Sequence, residues 1–256
     1  MSAPLRMVVL ADSTAFVNDR GPQLPSEPTL YPNVLAGLLS AELGQPVEAT
    51  VLARAGMTVR EAWKVVSKDR HAQFDVLAGA DIVVVGLGGF DHAPLGVPEV
   101  VGTVVPYVRP AVLRSRLRKV IHQAYPWGAR TVGLVLPRVP AKEFDRLYDL
   151  IMMQVRGLAQ GAAGLALGPT SHNSSYYGNR HRNRAASEAR QLDIAARHGF
   201  ATLPVWSHVL PAIDRLNPDG IHWPADVHAS IAAEAAPLLL AQLRGEVARL
   251  QPPTFG

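Results

Sequence analysis

Four short stretches of the 256-residue chain carry residue types that can do chemistry. The first is Asp12-Ser13, directly after the apolar run Met7–Ala11. A Ser at the end of a strand can act as a nucleophile with its N–H facing a cleft. The plainer alternative is that Asp12 or Ser13 caps a following helix, although the next clear helical pattern begins only at Pro32. The second stretch is Asp219-Gly220-Ile221-His222, where a Gly-containing turn lets a carboxylate fold back onto an imidazole three residues away. Such a contact fixes the tautomer and leaves the other ring nitrogen free to take a proton. The alternative is an ordinary turn ahead of a helix capped by Asp226. A Ser hydroxyl needs a base to attack at neutral pH, so the two stretches make sense together. The third and fourth are Ala53–Thr58 and Gly86–Asp91, small residues past later strands, where backbone N–H groups can approach a substrate oxygen. Neither is a dinucleotide fingerprint: Asp91 stands where a third Gly would be needed, and no Walker sequence occurs.

These stretches need a scaffold that brings them level. Apolar runs at Met7–Ala11, Val47–Leu52, Asp81–Gly86, Thr131–Leu136, Leu165–Leu167 and Ala201–Val205 predict strands, the longest of them apolar throughout, as in parallel sheets covered on both faces. Helical periodicity covers Pro32–Leu43, Pro110–Tyr125, Ala141–Gln160, Ala185–His198 and Ala225–Leu243. In the second of these, Leu113, Leu117, Ile121 and Ala124 share one stripe, the side expected to face the core. Strand–helix alternation predicts an α/β doubly wound parallel sheet, and the absence of repeats or a linker favours one domain over 1–256. Three long loops, Thr14–Tyr31, Phe90–Val108 and Gly168–Asn183, stand outside the scaffold, and two follow strand ends, where such sheets place their sites.

Composition narrows the function classes. The chain has no Cys, which excludes a disulfide framework, thiolate metal sites and a Cys nucleophile. Net charge is +4. The basic residues cluster at 114–119 (RSRLRK) and 180–184 (RHRNR), patches that suit a small anion as well as a phosphate backbone. Aromatic residues do not interleave them at stacking intervals, so nucleic acid is not the expected partner. The apolar run at the N-terminus is too short for a signal-peptide core, and no stretch of about 18 apolar residues occurs, which predicts a cytoplasmic protein without a transmembrane segment. Oligomeric state is not legible.

Taken together, the stretches resemble the SGNH (GDSL-type) hydrolases, in which short blocks on successive strand ends assemble one acyl-transfer site. Asp12-Ser13 looks like the nucleophile block, with Ala11 in place of the usual Gly; Ala55-Gly56 like the oxyanion Gly block; Gly88-Gly89-Phe90-Asp91 like the Gly-x-Asn-Asp block; and Asp219 to Trp223, with His228 beyond, like the Asp-x-x-His block. The resemblance implies a flavodoxin-like three-layer sandwich with about five parallel strands and helices on both faces. It also implies a Ser13, His222 and Asp219 triad, and an oxyanion hole that runs either on the backbone N–H groups of Ser13 and Gly56, with one more near Gly89, or on another donor in place of the family's Asn. Phe90 departs from the pattern, because a phenyl ring donates no hydrogen bond where the family has Asn.

Within that family, Tyr31–Leu35, Gly88–Pro94, Pro106–Arg114, Leu136–Arg138 and Ser171–Arg184 are similar to mycobacterial octanoyltransferases acting on diglucosylglycerate. That likeness implies transfer from octanoyl-CoA, with no bound cofactor or metal, to a hydroxyl of an anionic glucosylglycerate-type acceptor, towards methylglucose lipopolysaccharide. Arg109, Arg138, His172, Arg180 and Arg182 are then expected to meet the anionic groups, with a solvated surface as their plainer reading. Phe90, Tyr176, Tyr177 and Trp223 are expected to form an apolar wall, and Asp12 and Asp91 to stand beside the substrate. A plain esterase or thioesterase would use the same triad, and a catalytically weak binding scaffold is the third reading.

Overall fold

The computed structural model describes residues 3–94, 109–131, 137–177 and 184–251. Along the chain the strands are β1 (Leu5–Ala11), β2 (Val17–Asn18), β3 (Gly21–Pro22), β4 (Val47–Ala53), β5 (Ile82–Gly86), β6 (Ala163–Leu167) and β7 (Ala201–Leu203). The pair β2 and β3 forms a small antiparallel hairpin, and the other five form a parallel sheet in the order β4-β1-β5-β6-β7. The helices are α1 (Tyr31–Leu43), α2 (Val59–Lys68), α3 (Ala111–Thr131), α4 (Ala141–Leu158), α5 (Arg184–Arg197), α6 (Val205–Val209) and α7 (Ala225–Leu243).

Side chains of β1 alternate between two cores, as the pleat requires. Met7, Val9 and Ala11 join one cluster with Leu35 and Leu39 of α1 and Ile231 and Leu239 of α7. Val8 and Leu10 join the other with Val66 of α2, Phe144 and Ile151 of α4 and Ile194 of α5. Burial on both faces explains the continuous apolar strands, and the result is a three-layer α/β sandwich of flavodoxin-like strand order.

Three expectations change. Of the expected strand at Thr131–Leu136, Thr131 is the last residue of α3 and 132–136 lie outside the described residues. Val205 starts α6 rather than ending a strand. The helix expected to stop at Tyr125 continues through Pro126 to Thr131, and its apolar stripe is only partly packed: Leu113 is 52% exposed and Ala124 is exposed, while Leu117 and Ile121 are half-buried. The reason is geometric. Other helices already cover both sheet faces, and α3 packs instead on the 3-10 turn Ser175–Tyr177.

Helix α2 was passed over in the sequence. Its signal is a capping box, with Thr58 N–H donating to Glu61 Oε2 at 2.9 Å. Asp91, expected beside the substrate, instead accepts from Val59 N–H at 2.9 Å and is fully buried. Burial pushes its carboxyl up to about 7, and the Val59 bond offsets only part of this.

The far edge of the sheet holds a cavity of about 760 Å³ near the ends of α4, α5 and α7, lined by Arg156, Arg197 and Arg249. Arg249 donates to the Gln242 and Leu243 carbonyls at 3.0 and 2.7 Å, so this cation answers the negative end of α7, while Arg197 pairs with Asp149 and Asp193.

His228 of α7 joins the two ends of the chain. Its Nδ1 accepts from Tyr31 N–H at 3.1 Å, and its Nε2–H donates to the Val17 carbonyl at 3.3 Å. Full burial pushes the imidazole down to about 4, so it is neutral in the folded protein. The unfolded chain binds a proton there from about pH 6.5 downward, so this group's contribution is complete above pH 6.5 and falls towards pH 4, by about 3 kcal/mol in all. Urea unfolding of the wild type and His228→Gln across that range should show the wild-type advantage shrinking with acidity. Shifts at His92 and Asp91 are common to both proteins and drop out of the difference. A pH-independent difference would contradict the neutral assignment.

Candidate active site

The nucleophile candidate sits where β1 leaves the sheet. Asp12 N–H bonds the Gly86 carbonyl at the end of β5, and the chain then turns through the 3-10 segment Ser13–Ala15. Asp12 is the cap of that segment: its Oδ1 accepts from Thr14 N–H at 2.9 Å and from Thr14 Oγ1–H at 2.7 Å. The capping alternative thus holds for Asp12, on a turn too short to leave a periodic pattern. Burial pushes the Asp12 carboxyl up, opposed by its Thr14 bonds and by His222. It forms part of the pocket wall, with Oδ1 engaged by Thr14.

Ser13 Oγ lies 2.8 Å from His222 Nε2, and His222 Nδ1 lies 2.6 Å from Asp219 Oδ2. The turn that presents these partners is closed by Asn217, which the sequence reading missed. Gly220 N–H donates to the Asn217 carbonyl at 2.8 Å, Asn217 N–H to the His222 carbonyl at 3.1 Å, and Asn217 Nδ2 to Asp219 Oδ2 at 3.3 Å. Asn217-Pro218 ahead of Asp219 was the available signal, because that pair favours a turn. Asp219 Oδ1 accepts from Ile221 N–H at 2.8 Å and His222 N–H at 3.2 Å. Burial alone would raise the Asp219 carboxyl, but bonds from His222, the imidazole charge and these N–H groups outweigh it and hold it at about 2. It is ionised throughout the working range and can stabilise an imidazolium.

Gly220 has φ +69°, and a Cβ there would fall 2.7 Å from the Asn173 carbonyl group. Asn173 N–H donates to the Gly220 carbonyl at 2.7 Å, so this turn is fastened to the loop after β6.

Around Ser13 and His222 lies a pocket of about 340 Å³. Gly56 and Gly89 line it with Ser13, so the three expected oxyanion residues share one cavity. Phe16, Val17 and Pro22 of the hairpin form one apolar side, and Phe90, Tyr177 and Ile221 contribute the other. The hairpin residues went unforeseen because their loop reads as polar. The Phe90 ring crowds Gly56: a Cβ at Gly56, whose φ is +64°, would lie 3.1 Å from it. Tyr177 meets Phe90 edge-on with centroids 6.3 Å apart, and the Arg138 guanidinium stacks 4.1 Å over the same ring.

The remaining expected contacts divide. His172 and Tyr177 line the pocket, packed edge-on at 5.2 Å. Trp223 does not belong to the wall: it is 2% exposed, donates from Nε1 to Thr170 Oγ1 at 2.8 Å and packs with Tyr31 and His228. Asp91 is withdrawn into the α2 cap, and Arg138 stands behind Phe90. Arg109 is exposed and is not part of the pocket lining. Arg180, Arg182 and the Tyr176 side chain lie outside the described residues. Of the 180–184 cluster, Arg184 is described and is structural, buried against the Trp206 ring and donating to the Pro169 carbonyl and Glu188. Among the described residues, no group of three His, Asp or Glu could hold a metal ion.

No family model matches the chain. It is similar to two curated proteins named diglucosylglycerate octanoyltransferase. That of Mycolicibacterium hassiacum is 27% identical over 236 residues, 88% of this chain and 91% of that protein. That of Mycobacterium tuberculosis is 27% identical over 233 residues, 88% of each. Among solved structures, a lipase/acylhydrolase from Enterococcus faecalis aligns at TM-score 0.59 and 14% identity, covering 98% of this chain and 100% of its own. A GDSL-like lipase from Parabacteroides merdae aligns at TM-score 0.56 and 14% identity, covering 93% and 98%. The fold is that of the GDSL-type hydrolases, and the resemblance read from the sequence stands on both comparisons.

Two outcomes follow from this geometry. With a soluble acyl ester, Ser13→Ala and His222→Ala should each lose at least about a thousandfold in turnover, and Asp219→Asn somewhat less. A near-native rate in Ser13→Ala would remove Ser13 from the chemistry. Gly220→Ala forces a left-handed φ on Ala and drives a methyl into Asn173; it should cost about 1–3 kcal/mol by thermal or urea unfolding. An unchanged Tm would show the turn to be pliable.

Proposed function

We propose that this chain, an enzyme of the SGNH acyltransferase–hydrolase kind, moves a medium-chain acyl group from a thioester such as octanoyl-CoA to a hydroxyl of a glucosylglycerate-type acceptor such as diglucosylglycerate, towards methylglucose lipopolysaccharide. The observation that carries the reaction type is the unbroken Ser13–His222–Asp219 hydrogen-bonded chain at an apolar pocket. The names of the curated relatives support the donor and acceptor classes.

In this reading His222 Nε2 takes the Ser13 proton as Oγ attacks the thioester carbonyl carbon. Backbone N–H groups of Ser13 and Gly56, with Gly89 beside them, receive the oxyanion. Phe90 supplies no donor, so the hole works without a side-chain amide, and one such donor is typically worth about 3 kcal/mol. His222 returns the proton to the departing CoA sulfur and leaves an acyl-Ser13 ester. It next deprotonates the acceptor hydroxyl, whose oxygen attacks that ester carbon, and passes this proton to Ser13 Oγ as the Oγ–acyl bond breaks. Asp219 holds the imidazole and balances its charge in both halves. No bound cofactor is needed.

The described lining of the pocket contains no Lys or Arg, which suits it to the acyl chain rather than to the anionic end of either substrate. Burying each CH₂ is worth about 0.8 kcal/mol, so an octanoyl donor should exceed a butanoyl donor by up to roughly a hundredfold in kcat/KM. Arg180 and Arg182 remain the proposed contacts for anionic groups. Transfer beats hydrolysis when the acceptor is held in attack geometry, since orientation supplies an effective molarity of roughly 10⁵ M or more.

The test supplies octanoyl-CoA with and without diglucosylglycerate and measures free thiol and acylated sugar. Acceptor-dependent thiol release matched by sugar ester is expected. Equal release in both arms, with free octanoate and no sugar ester, would make the chain a thioesterase. No release with any acyl-CoA or acyl ester would leave a binding scaffold.

A further inference from the structure

Helix α3 is an amphipathic helix that leaves much of its apolar side exposed, with Leu117 and Ile121 half-buried. Its 21 residues include Arg114, Arg116, Arg118, Lys119 and Arg130 and no Asp or Glu. Helical spacing puts positions 113, 117, 120, 124 and 127 on one stripe: Leu113, Leu117, Val120, Ala124 and Trp127. Leu113, Val120 and Trp127 are 52%, 59% and 69% exposed, although a stripe of this composition normally faces a core. Arg116 and Lys119 are exposed on the same helix. The sheet offers α3 no place, because α1 and α7 cover one face and α2, α4 and α5 the other.

From this we infer that α3 is a docking element for an anionic phospholipid surface, lying along it with Leu113, Val120 and Trp127 sunk below the headgroups and Arg116 and Lys119 at their level. Two features select this occupant. Uniform positive charge on the helix complements an anionic leaflet, and a Trp among aliphatic residues suits the boundary between headgroup and acyl chain. A nucleic acid would use the cations and leave the apolar stripe in water. A second copy of the chain would bring five like charges against five. The location gives the docking a use. Because α3 packs on the turn Ser175–Tyr177, and Tyr177 lines the pocket, a bilayer under α3 sets the pocket close to amphiphilic acyl compounds. The inference does not depend on which acceptor the enzyme uses.

The test is co-sedimentation of the full chain with vesicles of phosphatidylcholine alone and with an equal part of phosphatidylglycerol. Binding to the anionic vesicles only, weakened by salt, is expected. Leu113→Glu with Val120→Glu should reduce it at least tenfold while turnover of a water-soluble octanoyl ester stays at the wild-type rate, which also reports intact folding. Arg116→Gln with Lys119→Gln, which leaves the apolar stripe intact, should reduce it by roughly tenfold or more. Any of three results would overturn the inference: no sedimentation with anionic vesicles, unchanged binding in both double variants, or a dimer by light scattering that dissociates in the Leu113→Glu and Val120→Glu protein. Tighter binding to a DNA duplex than to anionic vesicles would do the same.

Discussion

The active centre depends on a parallel register that ends three neighbouring strands at one level. Ala11 of β1 stands opposite Ala53 of β4 on one side and Gly86 of β5 on the other. From that common edge the chain releases Ser13, Gly56 and Gly89 within a few residues, so a nucleophile and candidate N–H donors reach one pocket without any long excursion. A slip of one residue in β1 would also exchange its two sets of buried side chains between the cores. Packing on both faces therefore fixes the height of Ser13, and the Ser13–His222 contact inherits its precision from the hydrophobic layers.

Phe90 sits at the junction of chemistry and binding. It stands where the Gly-x-Asn-Asp pattern read from the sequence calls for an amide, and it is held from three sides by Gly56, Tyr177 and the Arg138 guanidinium. A ring so confined is a rigid piece of pocket wall. Stacking by Arg138 also explains how that cation, which the sequence placed among anion ligands, is used without facing the substrate: the ring's electron-rich face attracts it.

Much of this was legible in the sequence because the relevant signals are local. Apolar runs gave the five strands to within a few residues, and the spacing of Asp219 and His222 already allowed the contact at 2.6 Å. What was not legible depends on distant partners. Asp91 and Trp223 lie in motifs with functional neighbours, yet each is drawn inward by a group far along the chain, Val59 N–H and Thr170 Oγ1 respectively. Helix α3 shows the converse: its period was plain, but which way its apolar stripe faces depends on whether a layer is left to receive it.

The Ser13–His222 contact joins positions 209 residues apart, and His228 closes the same gap by bonding Tyr31 and Val17. Segments far apart in the sequence thus contribute to one seam. A growing chain exposes Ser13 well before the segment that carries His222 emerges. Until then Ser13 has no imidazole to accept its proton, and in the proposed reaction such a chain would not turn over a thioester. In the proposed reaction, the order of synthesis withholds the base from Ser13 until both segments have folded together.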